Sequence, residues 1–232
     1  MKFKPLRGTM FHIAKDASEA HYQCIKREIF DLQIYNLPFC LLPYNGLVLD
    51  IGANVGMFTY QSVVQQCNDI ICFEPSTLCL PVLKRNIEKI IKPLSENNKK
   101  IDIIEKGLWS KEDTVTFYDH PKFSGCNRLD FHPDPDYIKT EVKTTTLDKV
   151  INELNPKTVD FLKMDIEGAE LEALHGSIET IKKFRPKMAI STYHKPQDEK
   201  EVVEFIKSLD IPYHISTVFH YDINIKITYF YL

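Results

Sequence analysis

Small residues alternate where a predicted strand gives way to a helix. The stretch VLDIGANVGMFTY (48–60) ends an apolar strand at Asp50 and then carries Gly52, Asn54 and Gly56. Glycine allows backbone conformations and close approaches that a side chain would block. The N–H groups that begin the following helix attract anions and polar ligands. Because ligands collect at the carboxyl ends of parallel strands, the spacing predicts a nucleotide-binding turn.

The same turn departs from the dinucleotide pattern. G-x-G-x-x-G would need glycines at 52, 54 and 57, but the chain has Asn54 and Met57 there. The bare backbone that a pyrophosphate requires is therefore missing. Glu74 ends the next predicted strand, 18 residues after Gly56, where an acid accepts the hydroxyls of a ribose. Together these residues predict a site for a nucleoside without a pyrophosphate.

Acids follow a later predicted strand in KMDIEGAE (163–170). Strand alternation turns Lys163 and Asp165 to one face, while Glu167 lies in the turn and Glu170 opens the next helix. Both glutamates can be explained by the N-terminal dipole of that helix. Three acids at the predicted ligand edge nevertheless favour catalysis, with Asp165 as the first candidate and Glu167 as the second.

The neighbouring predicted strand ends in STYHKP (191–196). His194 has an ordinary pKa of about 6.5, so it can be neutral at physiological pH and accept a proton from a hydroxyl. Its place at the adjacent strand end predicts that it faces Asp165, and Tyr193 beside it is a candidate for substrate binding. A surface histidine before a proline-containing loop is the alternative interpretation.

Asp165, Glu167 and His194 can instead bind Mg²⁺ or Mn²⁺. Hard cations prefer more oxygen ligands than these three residues clearly supply, so a divalent metal stays an alternative that is not favoured. The chain has six cysteines, but they are scattered without metal-ligand spacing. We expect them to be reduced thiols.

Apolar periodicity alternates strands with helices along the chain. The predicted strands are 47–51, 70–73, 101–107, 114–118, 159–164, 187–192, 214–219 and 223–231. The predicted helices are 18–34, 57–67, one that starts after Ser76, 146–154, 169–184 and 198–209. This order predicts an α/β fold, with a mostly parallel sheet covered by helices on both faces. The last two strands are joined by a few residues and should form an antiparallel hairpin.

The 232 residues fit one domain, with 1–44 as a helical lead-in and 118–137 as a turn-rich substrate loop. In that loop Asn127 and Arg128 are candidates for binding acceptor hydroxyls. A net charge of −3 offers no basic footprint for nucleic acid. No stretch is apolar enough to span a membrane or to form the core of a signal peptide, so we expect a cytoplasmic protein.

Several motifs together resemble the FkbM-type family of class I S-adenosylmethionine-dependent methyltransferases, which have a Rossmann-like seven-stranded sheet. They cover roughly residues 45–200 and are VLDIGANVGMFT, IICFEPS, EKGLWSKEDTVTFY, TTTLDKVI, VDFLKMDIEGAELEALHG and AISTYHKPQD. The K-x-D-x-E-G-x-E run is the most specific of them. Many relatives carry a glutamate just before the histidine, whereas this chain has Ser191 and Thr192.

The resemblance implies a role for each matching residue. The residues implied to line the methionine part of the cofactor are Asp50, Gly52, Asn54 and Gly56. Glu74 would hold the ribose and Gly107 would lie near the adenine. Asp165, already a catalytic candidate, would also contact the cofactor. Tyr35 matches an aromatic residue that precedes the glycine turn in relatives, and a core role for it is equally open.

These expectations combine into an O-methyltransferase that acts on a hydroxyl of a sugar, a glycan or another polyhydroxylated natural product. The carbohydrate preference comes from the resemblance alone. An NAD-dependent oxidoreductase and a non-catalytic nucleoside-binding module are the alternatives. The expected partner is a small-molecule or glycan acceptor, and no nucleic-acid partner is expected. A functional link to glycosyltransferases and a homo-oligomer are both open.

Overall fold

A computed structural model describes residues 11–13, 17–94, 99–127 and 135–232. Within them the strands are β1 (Leu47–Ile51), β2 (Asp69–Phe73), β3 (Ile101–Ile104), β4 (Gly107–Leu108), β5 (Thr114–Asp119), β6 (Ile138–Thr145), β7 (Phe161–Met164), β8 (Lys187–Ser191), β9 (His214–His220) and β10 (Ile225–Tyr231). The α-helices are α1 (Glu19–Lys26), α2 (Met57–Val64), α3 (Leu80–Asn86), α4 (Leu147–Leu154), α5 (Glu170–His175), α6 (Ile178–Phe184) and α7 (Asp198–Ser208).

Seven strands form the main sheet in the order β3-β2-β1-β7-β8-β10-β9. The strands from β3 to β8 pair in parallel, and β10 pairs antiparallel with both β8 and β9. The predicted mostly parallel sheet with a terminal antiparallel hairpin is confirmed. The strand order reverses between β1 and β7, which places the ligand edge at the carboxyl ends of β2, β1, β7 and β8.

Alternation along the central strands builds two cores, one on each face of the sheet. Val48 belongs to a cluster with Cys72 and Phe161, whereas its neighbour Leu49 belongs to another with Leu162. Every residue of β1 is buried, as expected for a strand covered on both faces. The glycine turn that follows β1 therefore starts from a rigid support.

A second, small sheet was not predicted. It has the order β4-β6-β5, and β5 pairs antiparallel with β6. The predicted strand 101–107 ends at Ile104, and Gly107 and Leu108 join this small sheet instead. Strand β6 has the sequence IKTEVKTT and is half exposed, so it carries too little apolar alternation to be recognised.

Three predicted helices are interrupted. The one that starts after Ser76 becomes α3 and continues as a π-helical turn over Ile87–Ile91. The helix predicted over 18–34 is capped at Ser18 as α1 but continues as a π-helical turn over Arg27–Leu32. The helix predicted over 169–184 breaks into α5 and α6 at Gly176. A Cβ at Gly176 would lie 2.2 Å from the carbonyl oxygen of Trp109, so the chain needs a glycine at this crossing. Among the described residues, none of the helices combines the length and apolar character that a membrane span requires.

Candidate active site

The glycine turn passes very close to the end of β7. Gly52 has a φ of +81°, and a Cβ there would lie 2.0 Å from the carbonyl oxygen of Asp165. The N–H groups of Gly52 and Ala53 both donate to the carbonyl of Phe73 at 3.0 Å. Asn54 has a φ of +50°, a conformation that asparagine tolerates better than most residues. The turn is thus fixed between β2 and β7.

Lys163 holds the turn from below. Its Nζ donates to the carbonyl of Gly52 at 2.6 Å and to that of Ile51 at 3.2 Å. The same ammonium lies 3.3 Å from Oδ1 of Asp50, and the other carboxylate oxygen accepts from Thr59 Oγ1 at 2.6 Å. Lys163 belongs to the KMDIEGAE motif, but its motif alone does not predict a role in the site.

A cavity of about 430 Å³ opens at the carboxyl edge of the sheet, a size typical of small-molecule sites. The predicted site residues that border it are Gly52, Asn54, Glu74, Gly107, Asn127, Asp165, Glu167 and Tyr193. Asp50, Gly56 and His194 do not border it. Asp50 is instead paired with Lys163, and Gly56, at a φ of +90°, begins α2 with Leu83 2.9 Å from where a Cβ would stand. These two residues support the turn, and their implied contact with the cofactor stays a prediction.

Glu74 borders the cavity beside β2 and is only 5% exposed. Its Oε2 accepts from the N–H of Asn54 at 2.7 Å, and its Oε1 accepts from the N–H of Ser76 at 2.9 Å. Burial raises the pKa of Glu74 to about 7, against the lowering effect of these two hydrogen bonds. Because a carboxylate offers about four acceptor positions, Glu74 keeps acceptor capacity for a ligand.

Asp165 lies across the turn, beyond β7. The hydroxyl of Tyr35 donates to its Oδ2 at 2.9 Å and lies 3.1 Å from Ser191 Oγ, so Tyr35 positions this carboxylate. Burial acts to raise the pKa of Asp165, but the charges of Lys163 and His194 outweigh burial. Hydrogen bonds from Ser191 and Tyr35 lower the pKa further. Asp165 is therefore held as a carboxylate at the cavity wall.

His194 is enclosed by acids. Its Nε2 lies 3.5 Å from Oδ1 of Asp165 and 3.4 Å from Oε2 of Glu167, and its Nδ1 lies 3.2 Å from Oε1 of Glu170. Burial acts to lower the pKa of His194, but Glu170 above all, then Glu167 and Asp165, raises the pKa to about 10. These acids favour the protonated ring, and the role of His194 as a neutral base stays a prediction.

Glu170 lies both at the N-terminus of a helix and beside His194, the two settings that the sequence left open for this acid. It is 1% exposed, and its Oε1 accepts from the N–H of Ile166 at 2.9 Å at the start of α5. This bond satisfies a backbone donor in the turn between β7 and α5. The same oxygen also faces His194. Glu167 stands in the turn with a φ of +58° and borders the cavity.

The described part of the loop over 118–137 lies against the glycine turn. Ser124 Oγ donates to Asn54 Oδ1 at 3.0 Å, and the N–H of Gly125 donates to Nε2 of His21 at 2.9 Å. Asn127 uses its Oδ1 to accept from the N–H of His120 at 2.7 Å, so its side chain shapes the loop while bordering the cavity. The predicted hydroxyl-binding residue Arg128 lies outside the described residues.

Glu28 is a cavity residue that the sequence did not indicate. It projects from the π-helical turn Arg27–Leu32 and borders the cavity. Burial raises the pKa of Glu28 to about 8, the charge of Asp165 adds to this rise, and Lys163 opposes it. Among the described residues Glu28 has no hydrogen-bond or ion-pair partner. In the predicted amphipathic helix, the position of Glu28 is typical of a solvent-facing acid. No local feature of the sequence therefore indicates that Glu28 borders a cavity.

The comparisons with known proteins agree with this geometry. A family described as "Methyltransferase FkbM domain" matches residues 50–214. Methyltransferase sdnD of Sordaria araneosa is 28% identical over 188 residues, which cover 68% of this chain and 70% of that protein.

Solved structures share the fold at low sequence identity. Methyltransferase FkbM from Methylobacillus flagellatus KT aligns with a TM-score of 0.60 and 20% identity over 94% of this chain, which spans only 56% of that protein. Fibrillarin of Aeropyrum pernix, solved with bound S-adenosyl-L-methionine, aligns with a TM-score of 0.52 and 10% identity over 86% of this chain and 72% of that one. With the family match covering most of its length, the chain belongs to the FkbM family of methyltransferases.

Proposed function

We propose that the chain transfers the methyl group of S-adenosylmethionine to a hydroxyl of a sugar, a glycan or another polyhydroxylated natural product. The observation that carries the proposal is the layout of the cavity. Glu74 borders it beside β2, Asp165 borders it beyond β7, and the turn at Gly52 lies between them. The cavity therefore has a nucleoside end beside Glu74 and an acidic end beside Asp165, with the turn at Gly52 between the two ends.

The nucleoside end suits the cofactor. Glu74 is fixed by two backbone N–H groups and keeps acceptor positions for the ribose hydroxyls. Gly107, Leu108 and Pro75 border the cavity on the same side and offer an apolar slot for adenine. Fibrillarin of Aeropyrum pernix has the same fold and was solved with bound S-adenosyl-L-methionine. When bound, the cofactor supplies a methyl group on a positively charged sulfur.

The other end suits a hydroxyl-rich acceptor. Glu28, Glu167 and Tyr193 border it from three different elements, and carboxylates and phenols bind hydroxyl groups through hydrogen bonds. Methyl transfer is an in-line displacement, so the main task of these groups is to orient the acceptor oxygen toward the methyl carbon.

Glu28 is the proposed acceptor of the proton that the hydroxyl loses. Asp165 is engaged by Tyr35, and His194 does not border the cavity. Glu28 borders the cavity, and its carboxylate has no hydrogen-bond partner among the described residues. Because burial raises the pKa of Glu28 to about 8, its ionised form, which can act as the general base, gains population as the pH rises toward 8.

Calorimetry tests the cofactor directly. We expect S-adenosylhomocysteine to bind and NAD not to bind. Glu74→Ala should weaken S-adenosylhomocysteine binding by about tenfold or more, since a charged hydrogen-bond acceptor contributes about 1.5–3 kcal/mol. Glu105→Ala is the matched control because Glu105 follows β3 as Glu74 follows β2, but it pairs with Lys84 at the surface.

Binding of NAD alone would overturn the proposal in favour of an oxidoreductase. The acceptor is then identified by a transfer screen with methyl-labelled cofactor against sugars, glycans and polyketides. Labelling that appears only on carbon or nitrogen atoms contradicts O-methylation. Cofactor binding without transfer to any compound class contradicts the proposed acceptor and favours the non-catalytic module.

A further inference from the structure

Three side chains at the carboxyl ends of β7 and β8 offer one ligand atom each within 4.8 Å of one another. They are Asp165, Glu170 and His194. Asp165 follows β7 and borders the cavity, Glu170 is the first residue of α5, and His194 follows β8, the strand next to β7 in the sheet. Two carboxylates and one imidazole therefore converge from three elements on one small volume.

The imidazole in this group is enclosed but unsatisfied. The side chain of His194 is 5% exposed, and neither ring nitrogen makes a hydrogen bond with any residue in the described ranges. Oδ1 of Asp165 and Oε2 of Glu170 also make none. Buried polar atoms normally have partners, so an unsatisfied set of nitrogen and oxygen atoms in one place indicates a missing ligand.

The contacts of His194 are longer than direct hydrogen bonds. Charge-assisted N–H···O bonds are about 2.7–2.9 Å long, whereas Nδ1 of His194 lies 3.2 Å from Glu170, and Nε2 lies 3.4 Å from Glu167 and 3.5 Å from Asp165. One ion can bind only one of these two ring nitrogens, so His194 supplies a single ligand atom beside one oxygen each from Asp165 and Glu170.

The charge of the two carboxylate ligands also favours a cation. Asp165 and Glu170 flank one imidazole, and Glu170 is almost fully buried. The charge of Lys163 acts on Asp165, but the same ammonium is paired with Asp50. Enclosed charges are costly unless they are compensated, and a divalent cation beside a neutral imidazole balances the two carboxylates.

We propose that Asp165, Glu170 and His194 form a binding site for a divalent metal ion at the wall of the acceptor end of the cavity. Carboxylates suit Mg²⁺, Ca²⁺ and Mn²⁺, whereas imidazole suits the transition metals. Mn²⁺ accepts both ligand types, so the ion belongs to the Mn²⁺ class.

Electron paramagnetic resonance of Mn²⁺ tests the site without cofactor or acceptor. Chelator-treated protein should bind one Mn²⁺ per chain, and electron spin echo modulation in protein labelled with ¹⁵N-histidine should show a coordinated nitrogen. His194→Gln should remove this nitrogen coupling. A spectrum of free aqueous Mn²⁺ overturns the proposal, and so does bound Mn²⁺ without the coupling or with coupling that survives His194→Gln.

Variants of α5 supply the matched control. Glu170→Gln should weaken Mn²⁺ binding by at least about tenfold. Glu172→Gln should leave it within about twofold, since Glu172 accepts from Ser110 Oγ outside the cluster. Equal affinity of the two variants contradicts the role of Glu170. Because the measurement on the labelled wild type needs no substitution at Glu170, a folding defect in Glu170→Gln does not obscure the result. Binding of S-adenosylhomocysteine, measured in parallel, reports on the proposed function separately.

Discussion

Lys163 connects three functions of the site through one ammonium group. It pairs with the buried Asp50, holds two carbonyls of the glycine turn, and lowers the pKa of Asp165. Its side chain is 5% exposed, so these interactions are made away from bulk water. A buried lysine of this kind is a positioning residue for the turn that the cofactor is proposed to use.

Replacing Lys163 tests this positioning role. Lys163→Met leaves Asp50 as a buried carboxylate whose one remaining side-chain partner, within the described ranges, is the Thr59 hydroxyl. Breaking a buried ion pair costs about 3–5 kcal/mol. We expect a loss of that size in the free energy of unfolding, measured with denaturant. S-adenosylhomocysteine affinity should fall as well. Lys84→Met, which removes an exposed pair with Glu105, should change stability by less than about 1 kcal/mol.

The raised pKa of Glu74 predicts a pH-dependent affinity. Burial raises the pKa of Glu74 to about 7, so the group gains a proton as the pH falls through 7 and no longer accepts as a charged oxygen. If the ionised form binds the ribose, S-adenosylhomocysteine affinity should fall by up to about tenfold per pH unit below 7. Calorimetry from pH 5 to 8 measures this slope. Glu74→Gln should bind weakly with a flat profile, and an unchanged slope in Glu74→Gln would assign the dependence to another group.

At the same scale, the sequence identified several wall residues because their positions follow from strand ends. Gly52, Glu74 and Asp165 each follow a strongly apolar strand, and parallel topology brings such ends to one edge. The charge of His194 could not be predicted this way. It depends on the approach of Glu170 within 3.2 Å, which the chain order alone does not determine. Asp165 and Glu170 also share a pattern that fits both a helix start and a metal ligand set.

Element by element, the main sheet was predictable and its interruptions were not. The strands that become β1, β7 and β8 are short apolar runs, and such runs mark buried parallel strands. Strand β6 is polar because it pairs at the surface, and the break between α5 and α6 depends on the backbone of Trp109, which is remote in sequence. In the sequence, the only sign of this close approach between distant segments is the glycine at position 176.

The break at Gly176 predicts a strong effect of one methyl group. In Gly176→Ala the Cβ would lie 2.2 Å from the carbonyl oxygen of Trp109, so α5 or the β4 end must shift. We expect destabilisation of about 1–3 kcal/mol, as for overpacking of a core, seen as a lower melting temperature. Gly107→Ala is the control, because its nearest atoms are 3.7 Å from the Cβ position. Equal melting temperatures for both variants would contradict the crossing.

Across the whole molecule, the N-terminal lead-in holds the loop that covers the glycine turn. His21 of α1 accepts from the N–H of Gly125, and the N–H of Ser18 donates to the carbonyl of Lys122 at 2.8 Å. His21→Ala should therefore speed amide exchange at Gly125, measured by hydrogen–deuterium exchange, because its acceptor is lost. His214→Ala, on the exposed edge strand β9, should leave that exchange unchanged. Equal exchange rates at Gly125 in both variants would show that this loop is ordered without the contact to His21.

The contact between the lead-in and the hairpin tip has a consequence for how acceptor choice can evolve. Arg27 lies 3.3 Å from Asp222, and Glu28 and Asn224 beside them both border the cavity. Both segments lie outside residues 50–214, which carry the family match. We infer that these two segments shape the proposed acceptor end of the cavity from outside the part of the chain that carries the family match. Exchanging the two segments together between relatives should transfer acceptor preference while donor affinity stays with residues 50–214.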